Sequence, residues 1–140
     1  MLKLKPYSAS LLAVGGLLLV AMGIYFVFIR PPLLPEDLRY MQTNLSVINN
    51  SATGLSSWLQ KVFWVMGSYI FTTGFLTIFI AVTSFRKRAP GAFIVVAIAG
   101  ISSIGSMTVV NFMIGSDFKW LLLTFTLFWG LALVLYGLRK

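Results

Sequence analysis

Long apolar runs alternate with short polar breaks along this chain. Ser8 to Ile29 carries no charged residue. At about 1.5 Å per helical residue, a run of that length crosses a hydrocarbon core of ~30 Å. Val62 to Phe85, Ala92 to Ile114 and Trp120 to Leu138 are equally free of charge. The pattern predicts an all-α membrane protein, a four-transmembrane-helix bundle. Residues 1–140 form one integral membrane domain, with spans near 8–29, 62–85, 92–114 and 120–138. The first run is too long for the apolar core of a signal peptide, and RPPLLPED offers no small-x-small cleavage site. It is expected to be a retained first span.

The long polar break is 30–61. Pro31, Pro32 and Pro35 open it, and Pro35 suits the first turn of a helix. Glu36 and Asp37 then fall where the helix dipole favours acids. Leu34, Leu38, Met41, Leu45 and Ile48 follow at spacings of four and three, which makes one apolar stripe. Asp37, Arg39, Gln42, Thr43, Ser46 and Asn50 lie mostly off it. The stripe predicts one amphipathic helix of about 14 residues, lying on the membrane surface or capping the bundle. The cluster Asn49-Asn50-Ser51-Ala52-Thr53-Gly54 is expected to end it as a turn.

Composition supports the bilayer as solvent. The chain is 59% hydrophobic and only 10% charged, and its mean hydropathy is +0.93. A soluble domain carries roughly a quarter charged residues. The net charge of +8 does not point to nucleic acid, because most basic residues flank the apolar runs. The sequence has no cysteine and no histidine, which excludes disulfides, thiol redox chemistry and cysteine lipidation.

Basic residues also predict orientation. Lys3, Lys5, Arg86, Lys87, Arg88, Arg139 and Lys140 share one side of the bundle. Arg30, Arg39, Lys61 and Lys119 share the other, together with all three acids. The positive-inside rule then puts both termini in the cytoplasm and the 30–61 segment outside. Trp58, Trp64 and Trp120 fall near the outer boundary, as an aromatic belt would. Trp129 lies mid-span and reads as a packing residue.

Helices in lipid gain little from hydrophobicity against one another, so small residues carry their packing. Every span has small residues seven apart: Gly16 and Gly23; Gly67, Gly74 and Ala81; Ala92, Ala99 and Ser106; Gly130 and Gly137. A seven-residue repeat favours a left-handed bundle. Phe71, Phe75, Ile78 and Phe85, with Phe125, Phe128 and Leu135, read as lipid-facing or subunit-facing.

Candidate chemistry is sparse. No span holds a charge, which argues against proton-coupled transport and voltage sensing. Catalysis needs a tuned titratable group or an activated nucleophile. Adjacent Glu36 and Asp37 point about 100° apart on a helix, a poor geometry for paired acid-base work. Their plainer role is to favour the helix start and to pair with Arg39 or Arg30. No catalytic residue, cofactor or metal site is expected, though structural lipids are compatible with the pattern. Asn111 is the strongest candidate for an interhelical hydrogen bond, and the span hydroxyls can satisfy themselves on carbonyls one turn back.

RPPLLPEDLRYM (Arg30 to Met41), followed by WLQKVFWVMGSYIFTTGFLT, resembles a group of small uncharacterised four-span bacterial membrane proteins. The matching positions run from Arg30 to Asp37, through Arg39, Tyr40 and Met41, and on to Trp58, Val62, Phe63, Gly67, Gly74, Leu76 and Thr77. Ser68 departs from the pattern, standing where a second glycine is expected. The resemblance implies a bacterial inner membrane and carries no activity.

The leading expectation is a non-catalytic accessory or scaffold subunit. Its partners, other membrane proteins or a second copy, would meet the glycine seams and the outer residues Leu34, Glu36, Asp37, Leu38, Arg39, Met41, Leu45 and Ile48. The alternative is a protein that binds lipid or a hydrophobic small molecule in the bundle's outer half. Asn111, Gln60, Trp64, Tyr69 and Arg39 would then line the site. A third option is an oligomeric pore, with the hydroxyl faces of the second and third spans on its axis.

Overall fold

A computed structural model describes residues 7–138. Lys3, Lys5, Arg139 and Lys140, which enter the charge count, lie outside the described residues. Four helices are long and apolar enough to cross a membrane: Tyr7–Phe28, Leu55–Phe85, Ala92–Met113 and Lys119–Gly137. The first is α1. The second joins α4 (Leu55–Ile80) to a π-helical turn over Ala81–Phe85. The third is α5 (Ala92–Gly100), a π-helical turn over Ile101–Gly105, and α6 (Ser106–Met113). The fourth is α7 (Lys119–Gly137). No strand occurs among the described residues.

The second long helix starts at Leu55, so the polar loop ends at 54 rather than 61. Its 31 residues rise about 46 Å, well beyond a ~30 Å core. The excess carries Ser56, Ser57, Gln60 and Lys61, polar residues that belong beyond the hydrocarbon.

The loop differs from the single amphipathic helix read from its stripe. It holds two short helices, α2 (Pro35–Tyr40) and α3 (Leu45–Ser51). Gln42 between them takes the left-handed conformation at φ 53°, which no α-helix can pass through. Thr43 N–H closes the break on Leu38 O at 3.1 Å. Asn44 then starts α3, its Oδ1 accepting from Val47 N–H at 2.9 Å, as an N-cap does. The break splits the stripe. Ile48 is buried, whereas Met41 and Leu45 are exposed. Asn49 to Ser51 end the helix α3 itself and not a turn after a longer helix.

Helix α1 packs along α4 over most of its length and also meets α7, and α6 meets α7. The α1–α4 seam is built on glycine. A Cβ on Gly23 would lie 2.5 Å from Phe71 N and 2.7 Å from Gly67 O, and one on Gly74 would lie 2.6 Å from Gly16 O. Gly16 thus opposes Gly74 and Gly23 opposes Gly67, an antiparallel pair whose backbones touch. Ala9 and Ala81 are buried farther along. Ser68, next to Gly67, is exposed and bonds Trp64 O.

The fourth span's seam is not used. A Cβ on Gly130 or Gly137 would meet nothing within 4 Å, because α7 turns another face to its neighbours. That face carries Trp129, whose indole N–H donates to Val96 O at 3.0 Å and whose ring leaves no room for a side chain at Gly100. Gly100 is therefore the close-approach point of the third span. Ala92 is buried, Ala99 is partly buried, and Ser106 is exposed. Thr108 and Thr126 hydroxyls pair at 2.7 Å across the α6–α7 seam. Phe85, read as lipid-facing or subunit-facing, is instead buried within the chain with its ring 4.3 Å from that of Tyr136.

The bundle has two distinct ends. One carries the turn from Arg86 to Gly91, where Arg88 Nη2 donates to Tyr136 O at 3.0 Å and ties the turn to α7. The other, the loop end, carries 29–54 and the short connection at Gly115 to Phe118.

Candidate functional site

At the loop end the chain's three acids come together. Arg30, just past α1, is 8% exposed. Its guanidinium lies 3.6 Å from the Phe63 ring centroid, donates to Pro31 O at 2.9 Å and pairs with Asp37 Oδ2 at 3.2 Å. Asp37 Oδ2 also accepts from Leu34 N–H at 2.8 Å, so one carboxylate both caps α2 and holds Arg30. The prolines make this possible. Three fixed φ angles turn the chain back over the end of α1, and α2 follows at once.

Glu36 points the other way. It is 5% exposed. Oε1 accepts from the Ser116 hydroxyl at 2.8 Å, and Oε2 accepts from Asp117 N–H at 2.9 Å. Ser116 is fully buried, and its oxygen accepts from Phe118 N–H at 3.1 Å. Farther out, Arg39 Nη2 pairs with Asp117 Oδ1 at 2.9 Å, both side chains exposed. Helix α2 is thus fastened to the α6–α7 connection by two bonds to Glu36 and one ion pair, and it covers the loop end of the bundle.

Beneath this cover lies a cleft of about 720 Å³. Leu19, Met22 and Phe26 of α1 form one wall, and Met66 and Ile70 of α4 the next. Met107 and Val110 of α6 face them, with Leu122 and Phe125 of α7. The charged members, Arg30, Glu36 and Asp37, belong to its covered end, and Asn111 lines it too. Toward this end α4 and α6 make no substantial contact with each other, their elements meeting mainly at the other end through α5 and the 81–85 turn. Thr73 of α4, Ser103 and Ser106 also line the cleft.

The candidate residues divide. Leu34, Glu36, Asp37 and Asn111 line the cleft. Gln60 does not, and reaches Arg30 O at 3.4 Å. Trp64 and Tyr69 are exposed and lie off the cleft, Tyr69 being 72% exposed. Arg39 pairs with Asp117 in place of a neighbouring acid. Asn111 makes no interhelical bond. Its amide nitrogen donates to Met107 O of its own helix at 2.9 Å. The hydroxyls of Thr72, Thr73, Thr77, Ser102 and Ser106 bond carbonyls one turn back. Arg30 is the acid partner expected from the sequence and holds Asp37, whereas Ser116 and Phe63 join the site without a role read for them from the patterns. The signal was present for Arg30, a cation at the very end of an apolar run. None marked Ser116, a serine in an ordinary turn. Among the described residues no group of three or more acids could hold a metal ion.

No protein-family model matches the chain, and no curated protein and no solved structure does so either.

Proposed function

We propose that the protein binds a membrane amphiphile, its chains in the cleft and its polar head under the α2 cover. One observation carries this reading: a long apolar cleft beside two helices, α4 and α6, that make no substantial contact with each other, with buried charges in its lining. Ligand sites of several hundred Å³ are mostly apolar with a few polar groups that set orientation, and this cleft has that composition. An empty apolar cleft would forfeit dispersion contacts along its whole wall, so an acyl or isoprenoid chain is its natural filling. The reading includes the orientation from the charge count: both termini cytoplasmic, in a bacterial inner membrane, with the cleft in the outer leaflet. A lipid would enter laterally between α4 and α6, since α2 covers the aqueous route.

The accessory-subunit reading is second. It is favoured by Gly130 and Gly137, small residues left open on α7, where a helix of another chain could approach. The glycines expected to bind partners on α1 and α4 face each other within this chain, which reduces its support. The pore option loses support from the hydroxyls, which are turned onto their own helices.

Purification in a mild, lipid-retaining detergent followed by native mass spectrometry tests the proposal. A stoichiometric lipid mass on the intact chain is expected, and Ser106→Phe with Thr73→Phe in the cleft lining should lower its occupancy several-fold. A protein recovered without lipid, or with lipid unaffected by these substitutions, would sink it. Stoichiometric recovery of a second membrane protein would favour the accessory reading.

A further inference from the structure

We infer that the amphiphile carries a primary ammonium head, and that Glu36 is its counter-ion. This rests on the lipid-binding reading above. The cleft's polar end holds Arg30, Glu36 and Asp37, one cation against two acids. The ion pairs among the described residues join Arg30 to Asp37 and Arg39 to Asp117. Glu36 belongs to neither. Its oxygens accept from the Ser116 hydroxyl and a backbone N–H, both neutral. The most buried carboxylate of the chain therefore sits at the end of an apolar cleft outside any ion pair. A buried charge needs a partner of opposite sign, and hydrogen bonds to neutral donors leave its charge uncompensated.

The hydrogen-bond inventory points the same way. A carboxylate offers about four lone-pair sites, and Glu36 uses two of them on the protein. Asn111 gives one of its two amide N–H groups to Met107 O, and Arg30 already donates to Pro31 O and Asp37. An ammonium brings three donors and no acceptor. An anionic head would meet net repulsion, and a quaternary choline head has charge but no N–H to give. A phosphoethanolamine head fits both signs present, with its ammonium at Glu36 and its phosphate toward Arg30.

The test uses the full-length protein in detergent with an equimolar set of dioleoyl lipids of one chain composition: phosphatidylethanolamine, its N-monomethyl and N,N-dimethyl forms, phosphatidylcholine and phosphatidylglycerol. Occupancy is read by native mass spectrometry. Retention should fall at each methylation, with ethanolamine about ten-fold above choline and above glycerol, the ratio of one hydrogen-bonded charge pair. Glu36→Gln should bring the heads to near parity. Equal retention of all heads, preference for the anionic lipid, or an unchanged ratio in Glu36→Gln would overturn the inference and leave lipid binding standing. Should Glu36→Gln fail to give a monodisperse protein, the methylation series on the unaltered chain decides alone. Absence of any retained lipid overturns both readings.

Discussion

Glu36 and Ser116 stand 80 positions apart and are joined by a 2.8 Å hydrogen bond between buried side chains. That bond fastens the segment after the first long helix to the connection between the third and fourth. The adjacent Arg39–Asp117 pair spans almost the same two segments but lies in solvent. The two links differ in burial, and burial decides their worth.

Ser116→Ala removes a donor from a buried carboxylate. Such bonds contribute about 1.5–3 kcal/mol, so thermal unfolding in detergent should shift down by several degrees. Arg39→Ala breaks an exposed pair worth about 0.2–1 kcal/mol and should shift it little. Equal shifts for the two variants would show that burial does not rank the links.

Arg30→Lys should destabilise although it keeps the charge. The planar guanidinium both lies over Phe63 and bonds Pro31 O and Asp37, and an ammonium cannot reproduce that set. A loss of about 1–3 kcal/mol is expected, in the range of a disrupted buried charge network. Unfolding monitored by circular dichroism checks it, and a variant matching the parent would refute the network's importance.

Glycines should sort by what a methyl group would meet. Gly23→Ala places a Cβ against the backbone of Phe71 and Gly67, and overpacking of this kind costs about 1–3 kcal/mol. Gly130→Ala meets open space and gains helix propensity, up to about 1 kcal/mol. Opposite signs are expected in the same unfolding assay. Destabilisation by Gly130→Ala would instead reveal a neighbour on that face.

Trp129→Phe keeps most of the ring and deletes the N–H that donates to Val96 O. Interhelical bonds of this sort are worth about 0.6–2 kcal/mol, so a modest loss is expected. Trp129→Ala should lose far more, through the cavity left against Gly100. A Phe variant as damaged as the Ala variant would mean that the bond, not the packing, holds the third and fourth helices together.

Orientation has its own test. A cytoplasm-active reporter fused after Lys140 should be active, and one inserted after Thr53 should be silent. The reverse pattern would place the cleft in the cytoplasmic leaflet and overturn the charge count.

Much of this molecule can be read along the chain. Charge-free runs from Ser8, Val62, Ala92 and Trp120 mark four long helices, because a bilayer-crossing helix is defined by length and apolarity, both local properties. The heptads Gly16–Gly23 and Gly67–Gly74 mark positions where α1 and α4 touch. The same spacing at Gly130 and Gly137 marks no contact within this chain, since periodicity reports that a face is smooth and not whether a helix lies against it. The stripe from Leu34 to Ile48 misleads at Gln42, where one left-handed residue divides an otherwise helical pattern. The cleft, the isolated carboxylate of Glu36 and its bond to Ser116 could be decided only by the tertiary structure. They depend on which helices meet and which part, and that is set by contacts between residues far apart in the chain, to which hydropathy and spacing are blind.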